Sequence, residues 1–216
     1  MVSRVRIKMC GMTRHEDIKA AAMLGVDAVG LIFYAPSPRS VTLEKASQLL
    51  THFPALMSTV AVFVNPEPKM VDDVLSELPI QYVQFHGDET PEFCGQFSIP
   101  YIKAIPAVSK EQIMQMTGDY SHAAALLLDT PSKTQRGGSG ATFDWTIIPE
   151  RDDFPLILAG GLNVQNVHEA LKFRSFYGVD VCSGVEASPG IKSYVKMKHF
   201  VENSFKPTAS NNDHQE

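Results

Sequence analysis

The sequence predicts an α/β protein that folds as a single (β/α)8 TIM barrel, and three observations lead to this fold class. Short apolar runs alternate with runs of helical periodicity about eight times along the 216 residues. The apolar runs are nearly continuous, as expected for parallel strands that helices cover. Several of the loops that follow them carry polar groups, which favours a closed barrel over a doubly wound open sheet, the alternative architecture.

The strands follow from the apolar runs. The first lies in the segment RVRIKMCG, where apolar and basic residues alternate until Gly11 ends the run directly after Cys10. Seven further strands are predicted at Asp27–Phe33, Ser58–Val64, Gln81–Phe85, Tyr101–Ile105, Ala123–Leu128, Pro155–Leu158 and Gly178–Cys182.

The helices follow from apolar residues spaced three and four apart. Thr13 and Glu16 are placed as a capping box for the first helix, and Asn163 as the N-cap of the helix after the seventh strand. The sixth helix is poorly defined, because the segment Thr130–Asp144 is polar and glycine-rich. Helices are predicted at His15–Leu24, Thr42–Leu50, Lys69–Leu78, Thr90–Phe97, Lys110–Met116, Asn163–Leu171 and Ile191–Val201.

Composition limits the classes of partner. A net charge of −5 and a pI near 5.8 argue against a nucleic acid or an anionic membrane as partner. The three cysteines lack metal-ligand spacing and are odd in number, which argues against zinc and against a disulfide framework. The amino end has no apolar core of signal-peptide length and no apolar run is long enough to span a bilayer, while a cleaved organelle presequence stays an alternative. We therefore expect a cytoplasmic protein with reduced thiols, one domain over residues 1–204, and a polar, disordered tail over 205–216.

Polar side chains follow four of the predicted strands at their carboxyl ends: Cys10, Arg39, His86 and Asp129. In a parallel barrel the loops leaving these ends converge on one mouth, so the four side chains are candidates for a single site. A thiol in such a place can ionise and move a proton if cations or helix amino ends lower its pKa, but Cys10 could equally be a small buried apolar residue. Alternation puts Lys8 on the same face as Cys10 without fixing their distance, so the cause of any lowered thiol pKa stays open.

Glycine turns follow the last two strands, at Gly160-Gly161 and at Ser183-Gly184. Exposed backbone N–H groups beside a helix amino end can bind a phosphate, and loops seven and eight of this fold class commonly do so. Each turn taken alone could simply permit a tight change of direction, whereas the two together favour a phosphate site.

Nine segments resemble the phosphoribosylanthranilate isomerase family in order and register, and the similarity covers the chain up to about Asn203. They are KMCGMTR, FYAPSPRSV, VAVFVNP, VQFHGDE, KAI, LLLDT, GGSGATFDW, LILAGGLNVQNV and GVDVCSGVEASPGIK. The resemblance implies a small (β/α)8 barrel. It also implies an Amadori rearrangement of N-(5-phosphoribosyl)anthranilate to the ring-opened 1-deoxyribulose 5-phosphate in tryptophan biosynthesis.

The resemblance implies a role for each candidate. Cys10 matches the general base, Asp129 the general acid, and Arg39 the arginine that binds the anthranilate carboxylate. His86 and Asp180 match positions that line the pocket. The phosphate would bind to backbone groups of Gly160, Gly161, Ser183 and Gly184. No metal and no cofactor are implied, and the protein is expected to be a monomer or a homodimer acting on a small phosphorylated substrate.

Other features of the sequence leave alternatives open. The loop Ser132–Phe143 is expected to close over the substrate. Cys94 is interpreted as a packing residue, and Cys182 departs from the small serine usual in the family. A barrel that binds a sugar phosphate without turning it over would not need both Cys10 and Asp129. A related isomerase acting on the histidine-pathway aminoaldose would typically carry an aspartate in place of Cys10 and a second phosphate site.

Overall fold

The protein, described by a computed structural model over residues 4–131, 142–150, 153–173 and 176–206, is a closed barrel of eight parallel strands in sequential order. β1 closes the barrel against β8, with Met9 in register with Val181. The barrel strands are β1 (Arg6–Met9), β2 (Ala28–Ile32), β3 (Ser58–Phe63), β4 (Tyr82–Phe85), β5 (Tyr101–Pro106), β6 (Ala125–Asp129), β7 (Leu156–Leu158) and β8 (Gly178–Val181). The predicted fold class is thus confirmed.

Seven α-helices lie in the described ranges, and the described part of the sixth unit, residues 142–150, contains a 3₁₀ turn at Trp145–Ile147. The remainder of this unit, residues 132–141 and 151–152, lies outside the described residues, so the weak pattern for a sixth helix stays a prediction. The helices are α1 (His15–Met23), α2 (Leu43–Leu49), α3 (Pro68–Glu77), α4 (Pro91–Gly95), α5 (Lys110–Asp119), α6 (Val167–Phe173) and α7 (Tyr194–Ser204). No helix of these ranges is both long and apolar enough to cross a bilayer.

The predicted capping box of α1 is wrong. Arg14 occupies the N-cap, and no side chain caps the helix. The Thr13 hydroxyl donates instead to the carbonyl of Gly190, 177 residues away. A long-range contact has therefore replaced the local one that the pattern predicted. At α6 the predicted cap is displaced: Asn163 Oδ1 accepts from the backbone N–H groups of Gln165 and Asn166, and the helix itself begins only at Val167.

The predicted start of the last helix is also wrong. Ile191–Lys192 form a short strand, β10, paired antiparallel with β9 (Glu186–Ser188), and α7 begins after Ser193. Gly190 connects the two strands with a φ of +79°, a conformation that side chains disfavour. The hairpin places the buried Lys192 ammonium beside Glu186, which an extended helix would not do.

Because side chains alternate along each strand, the inward-facing ones fill the barrel interior below the carboxyl ends of the strands. Inward-facing residues of β5, β6 and β7 form one apolar cluster, which includes Ala104, Leu127 and Ala159. Val60 and Val62 of β3 pack with Cys10 on the opposite side of the barrel. Small side chains therefore line the interior near the carboxyl ends of the strands, and a cavity remains above them.

The predicted tail beyond residue 206 and residues 132–141 of the predicted lid lie outside the described residues.

Candidate active site

A cavity of about 840 Å³ opens at the carboxyl ends of the strands. Its lining includes every predicted site residue except Gly184, which adjoins the lining residue Ser183. The barrel thus brings together groups that are up to 173 positions apart in the chain, as between Cys10 and Ser183. These eight residues are Cys10, Arg39, His86, Asp129, Gly160, Gly161, Asp180 and Ser183. Their positions agree with the sequence analysis, whereas their roles stay predictions.

Cys10 lies beside the end of β1, where alternation points it inward. Its backbone N–H donates to Val181 of β8 at 2.9 Å, which continues the barrel ladder by one residue. Cys182 packs against the cluster that contains Cys10, and Lys8 lies two residues earlier on the same inward face. The pKa of Cys10 lies well below its ordinary value, because the hydrogen bond from Cys182 and the positive charges of Lys8 and Lys192 outweigh the opposing effect of burial.

Lys8 forms a buried ion pair with Asp180, its register partner on β8. Lys8 Nζ lies 2.9 Å from Asp180 Oδ1, and both side chains are almost fully buried. Although burial lowers the pKa of Lys8, the negative charges of Asp180 and Cys10 raise it on balance, so Lys8 stays cationic. Burial raises the pKa of Asp180 to about 6, and the nearby Cys10 adds to that shift while Lys8 opposes it.

Asp129 ends β6 and is held by two hydrogen bonds. Its Oδ1 accepts from the backbone N–H of Thr130 at 2.8 Å, and its Oδ2 lies 2.9 Å from His86 Nε2. On the other side of the ring, His86 Nδ1 lies 2.9 Å from the Gln84 amide nitrogen. With that amide donating to Nδ1, the ring proton sits on Nε2 and is directed at Asp129. Gln84, His86 and Asp129 thus form a series of hydrogen bonds, because alternation along β4 puts Gln84 and His86 on the same inward face.

Arg39 reaches the cavity through a buried salt bridge that the sequence did not predict. Its Nε and Nη2 donate to the two carboxylate oxygens of Glu186, each at 2.8 Å. Lys192 Nζ donates to Glu186 Oε1 at 2.9 Å, so one carboxylate serves two cations. Although burial raises the pKa of Glu186, the Arg39 hydrogen bonds and the Lys192 charge hold it below its ordinary value. The paired edge of the guanidinium is fixed, and Nη1 lies outside the pair.

The glycine turns have the backbone geometry that a phosphate site needs. Gly160 and Gly161 have φ angles of +74° and +67°, and their N–H groups donate to no other described residue. A Cβ at Gly160 would lie 2.5 Å from the backbone nitrogen of Thr130, and one at Gly184 would lie 2.0 Å from the carbonyl oxygen of Leu162. Loop seven therefore approaches loop six at Gly160 and loop eight at Gly184 so closely that side chains are excluded at both positions.

A family model described as N-(5'phosphoribosyl)anthranilate (PRA) isomerase matches residues 7–203. The chain belongs to the PRA isomerase family. An N-(5'-phosphoribosyl)anthranilate isomerase of Legionella pneumophila strain Corby is 54% identical over 200 residues, which cover 93% of this chain and 97% of the relative. A protein of the same name from Pseudomonas paraeruginosa is 44% identical over 198 residues, which cover 92% and 94% of the two chains.

Solved structures of PRA isomerases have the same fold. The crystal structure of phosphoribosyl anthranilate isomerase from Thermotoga maritima is 41% identical, with a TM-score of 0.85 over 93% of this chain and 98% of the other. A second crystal structure, of a phosphoribosyl anthranilate isomerase in complex with reduced 1-(o-carboxyphenylamino)-1-deoxyribulose 5-phosphate, is 40% identical, with a TM-score of 0.81 and the same coverage.

Three groups of this PRA isomerase site were not identified as functional from the sequence. Cys182 was noted as a departure from the family pattern, yet its side chain contacts Cys10. Glu186 fixes Arg39 and lies in the quoted segment GVDVCSGVEASPGIK, but nothing in that segment indicates which distant cation it binds. Lys8 was on the correct face, but its ion pair with Asp180 was not predicted, because it depends on the register between β1 and β8.

Proposed function

We propose that this member of the PRA isomerase family converts N-(5'-phosphoribosyl)anthranilate into 1-(2-carboxyphenylamino)-1-deoxyribulose 5-phosphate with Cys10 as general base and Asp129 as general acid. The activity follows from the family. The residue roles are proposals, and the observation that supports them best is that a thiolate-favouring cysteine and a carboxyl group line one cavity from β1 and β6.

An Amadori rearrangement begins with two proton transfers on the sugar, and protonation of C1 completes it. An acid protonates the ring oxygen so that the furanose opens to an imine, and a base then removes the proton from C2 to give an enolamine. An acid and a base on different walls of one cavity can each contact their own atom of the bound sugar, with no movement of either wall. β1 and β6 are separated by several strands in the closed barrel, so Cys10 and Asp129 face the substrate from different sides.

Cys10 is suited to the base because its surroundings favour the thiolate. The hydrogen bond from Cys182 and the Lys8 ammonium both stabilise a negative sulfur. Once Cys10 has taken the C2 proton, the same cations remain beside a neutral thiol, so the proton is returned readily to C1 of the product.

Asp129 is suited to the acid because it is fixed in direction. The Thr130 N–H binds Oδ1, and His86 binds Oδ2 on the other side. Rotation of the carboxyl group would break one of these bonds, so its orientation toward the cavity is maintained. His86 acts here as a positioning residue and lines the same cavity.

The two anionic ends of the substrate would bind at separate places. Arg39, fixed by Glu186, would bind the anthranilate carboxylate through its remaining donors. The free N–H groups of Gly160 and Gly161, with those of Ser183 and Gly184, would bind the phosphate. Asp180, whose Oδ1 is paired with Lys8, lines the same cavity and would contact the sugar hydroxyls.

Three further statements complete the proposal. The substrate is a small phosphorylated molecule, and the protein works in the cytoplasm as a monomer or a homodimer. Catalysis uses neither a metal nor a cofactor, since proton transfers alone suffice. Closure of the segment 132–143 over the substrate also stays a proposal, because most of it lies outside the described residues.

The test begins with complementation of a tryptophan auxotroph that lacks only this step. The purified Cys10→Ala and Asp129→Asn variants should then lose about 10²- to 10⁴-fold in kcat, as expected when a general base or acid is removed. Cys94→Ala is the matched control, because Cys94 is buried in α4 away from the cavity. If both site variants kept wild-type turnover, the assigned roles would be wrong.

A further inference from the structure

Cys10 and Cys182 occupy neighbouring positions on adjacent strands. The β1 and β8 ladder runs in register from Arg6 and Gly178 to Met9 and Val181. The Cys10 N–H bonds to the Val181 carbonyl at 2.9 Å, so the two cysteines are the next pair along the same ladder. Adjacent strands lie about 4.8 Å apart, which is within the range of about 4.4 to 6.8 Å between Cα atoms that a disulfide spans.

The two side chains also point the same way. Both line the mouth cavity, and Cys182 packs against the small cluster that Cys10 forms with Val60 and Val62. Glycines confine the pair: a Cβ at Gly30 would lie 2.7 Å from Cys10 Sγ, and one at Gly11 would lie 3.0 Å from Cys182 Sγ. The sulfurs are thus held together at a site that is open to small solutes from the cavity.

We propose that Cys10 and Cys182 are a modification site, a dithiol that hydroperoxides oxidise to a reversible disulfide. The bond itself follows from the placement of the two thiols, and only its effect on activity rests on the proposed role of Cys10. While the disulfide is present, Cys10 has no thiolate to take the C2 proton, so turnover stops until the bond is reduced.

The oxidation balances in two steps. The Cys10 thiolate attacks one oxygen of the hydroperoxide, the O–O bond breaks, hydroxide leaves, and Cys10 becomes a sulfenic acid. The Cys182 sulfur then attacks the Cys10 sulfur, the S–O bond breaks, and the departing hydroxide takes the Cys182 proton to form water. Each sulfur is oxidised by one electron, and the peroxide is reduced by two. Lys192 Nζ lies 3.9 Å from Cys182 Sγ and favours its deprotonation for the second step.

Cys94 provides the contrast within the chain. It is fully buried, and burial raises its pKa to about 12. Its sulfur contacts the carbonyl of Glu89, and it does not line the mouth cavity. A hydroperoxide should therefore modify the Cys10 and Cys182 pair while leaving Cys94 a thiol.

The test treats the full chain with hydrogen peroxide and measures mass and activity in parallel. The wild type and the Cys94→Ala variant should each lose the mass of two hydrogen atoms, give one peptide that joins Cys10 to Cys182, and lose about 10²-fold or more of kcat/KM. Dithiothreitol should restore both. The Cys182→Ser variant lacks the second thiol that would form the disulfide, so its Cys10 should be oxidised further to sulfinic acid. Dithiothreitol should then fail to restore the activity that this variant had before peroxide treatment.

The outcomes separate this proposal from the proposed function. If peroxide left the wild type with Cys10 as sulfenic or sulfinic acid and no linked peptide, the modification site would be refuted. The same conclusion would follow if wild type and Cys182→Ser recovered equally with dithiothreitol. A linked peptide in a fully active enzyme would support the disulfide and refute Cys10 as the base.

Discussion

Replacement of Gly30 in β2 tests how strongly catalysis depends on the position of the Cys10 sulfur. A Cβ built on Gly30 would lie 2.7 Å from Cys10 Sγ and 3.2 Å from Cys10 Cα. Ordinary contacts between such atoms are about 3.5 to 4.0 Å, so Gly30→Ala must displace the sulfur by about 1 Å. The backbone contact prevents the strain from being relieved by rotation of the cysteine side chain alone. A displacement of about 1 Å in a reacting group lowers the rate by about 10²-fold.

We therefore expect Gly30→Ala to lower kcat/KM by about 10²-fold and the free energy of unfolding by about 1 to 3 kcal/mol, the usual effect of overpacking a core. Steady-state kinetics with N-(5'-phosphoribosyl)anthranilate and urea unfolding measure the two effects. Gly118→Ala in α5 is the control, because its Cβ would meet no atom within 4 Å. It should stabilise the helix by about 0.4 to 1 kcal/mol and leave kcat/KM unchanged. A folded Gly30→Ala variant with wild-type kcat/KM would refute the reasoning that the sulfur position limits catalysis.

Three further predictions concern buried charges. Lys103 Nζ lies 2.7 Å from Glu89 Oε2 with both side chains 2% exposed, so Lys103→Met should lose about 3 to 5 kcal/mol in urea unfolding by leaving the carboxylate unpaired. A loss below about 1 kcal/mol would contradict this. The pKa of Glu186 in the folded protein lies below its ordinary value of 4.5. The ionised Glu186 side chain therefore contributes fully to the free energy of unfolding above pH 4.5, and this contribution is lost as the pH falls through the lower pKa of the folded state. The stability gap between wild type and Glu186→Gln should therefore narrow below pH 4.5, and a constant gap would disprove the assignment. Arg39→Ala should raise KM by about 10- to 100-fold, more than it lowers kcat, and an unchanged KM would count against a binding role.

The barrel was predictable because its determinants are local. Apolar runs such as the one ending at Asp129 have a period and a length that identify buried strands without reference to the rest of the chain. Their order then defines the carboxyl-end rim, so the sequence assigns Cys10, His86 and Asp129 to one mouth, where the structure places them. The contact between His86 and Asp129 was not predicted, because it depends on the register between strands rather than on either strand alone.

The features that sequence reasoning missed depend on long-range contacts. Thr13 matches a capping box, but its hydroxyl binds the distant Gly190 carbonyl. Lys192 continues an apparently helical pattern, but it lies in the β9–β10 hairpin, where its ammonium binds Glu186. Glu186 itself has no local signal for its pairing with Arg39, which lies 147 residues away. In each case a buried polar group is satisfied by a partner that only the closed barrel brings near.

The pKa of the Cys10 thiol is the most direct test of the central claim, that the barrel mouth holds a thiolate base. The rate of alkylation by iodoacetamide, followed peptide by peptide against pH, reports the ionisation of Cys10 and Cys182 separately. The structure predicts that Cys10 reacts with a midpoint well below 9.0, whereas Cys182, whose hydrogen bond to Cys10 and burial raise its pKa, reacts only above that value. A Cys10 midpoint at or above 9.0 would contradict the account.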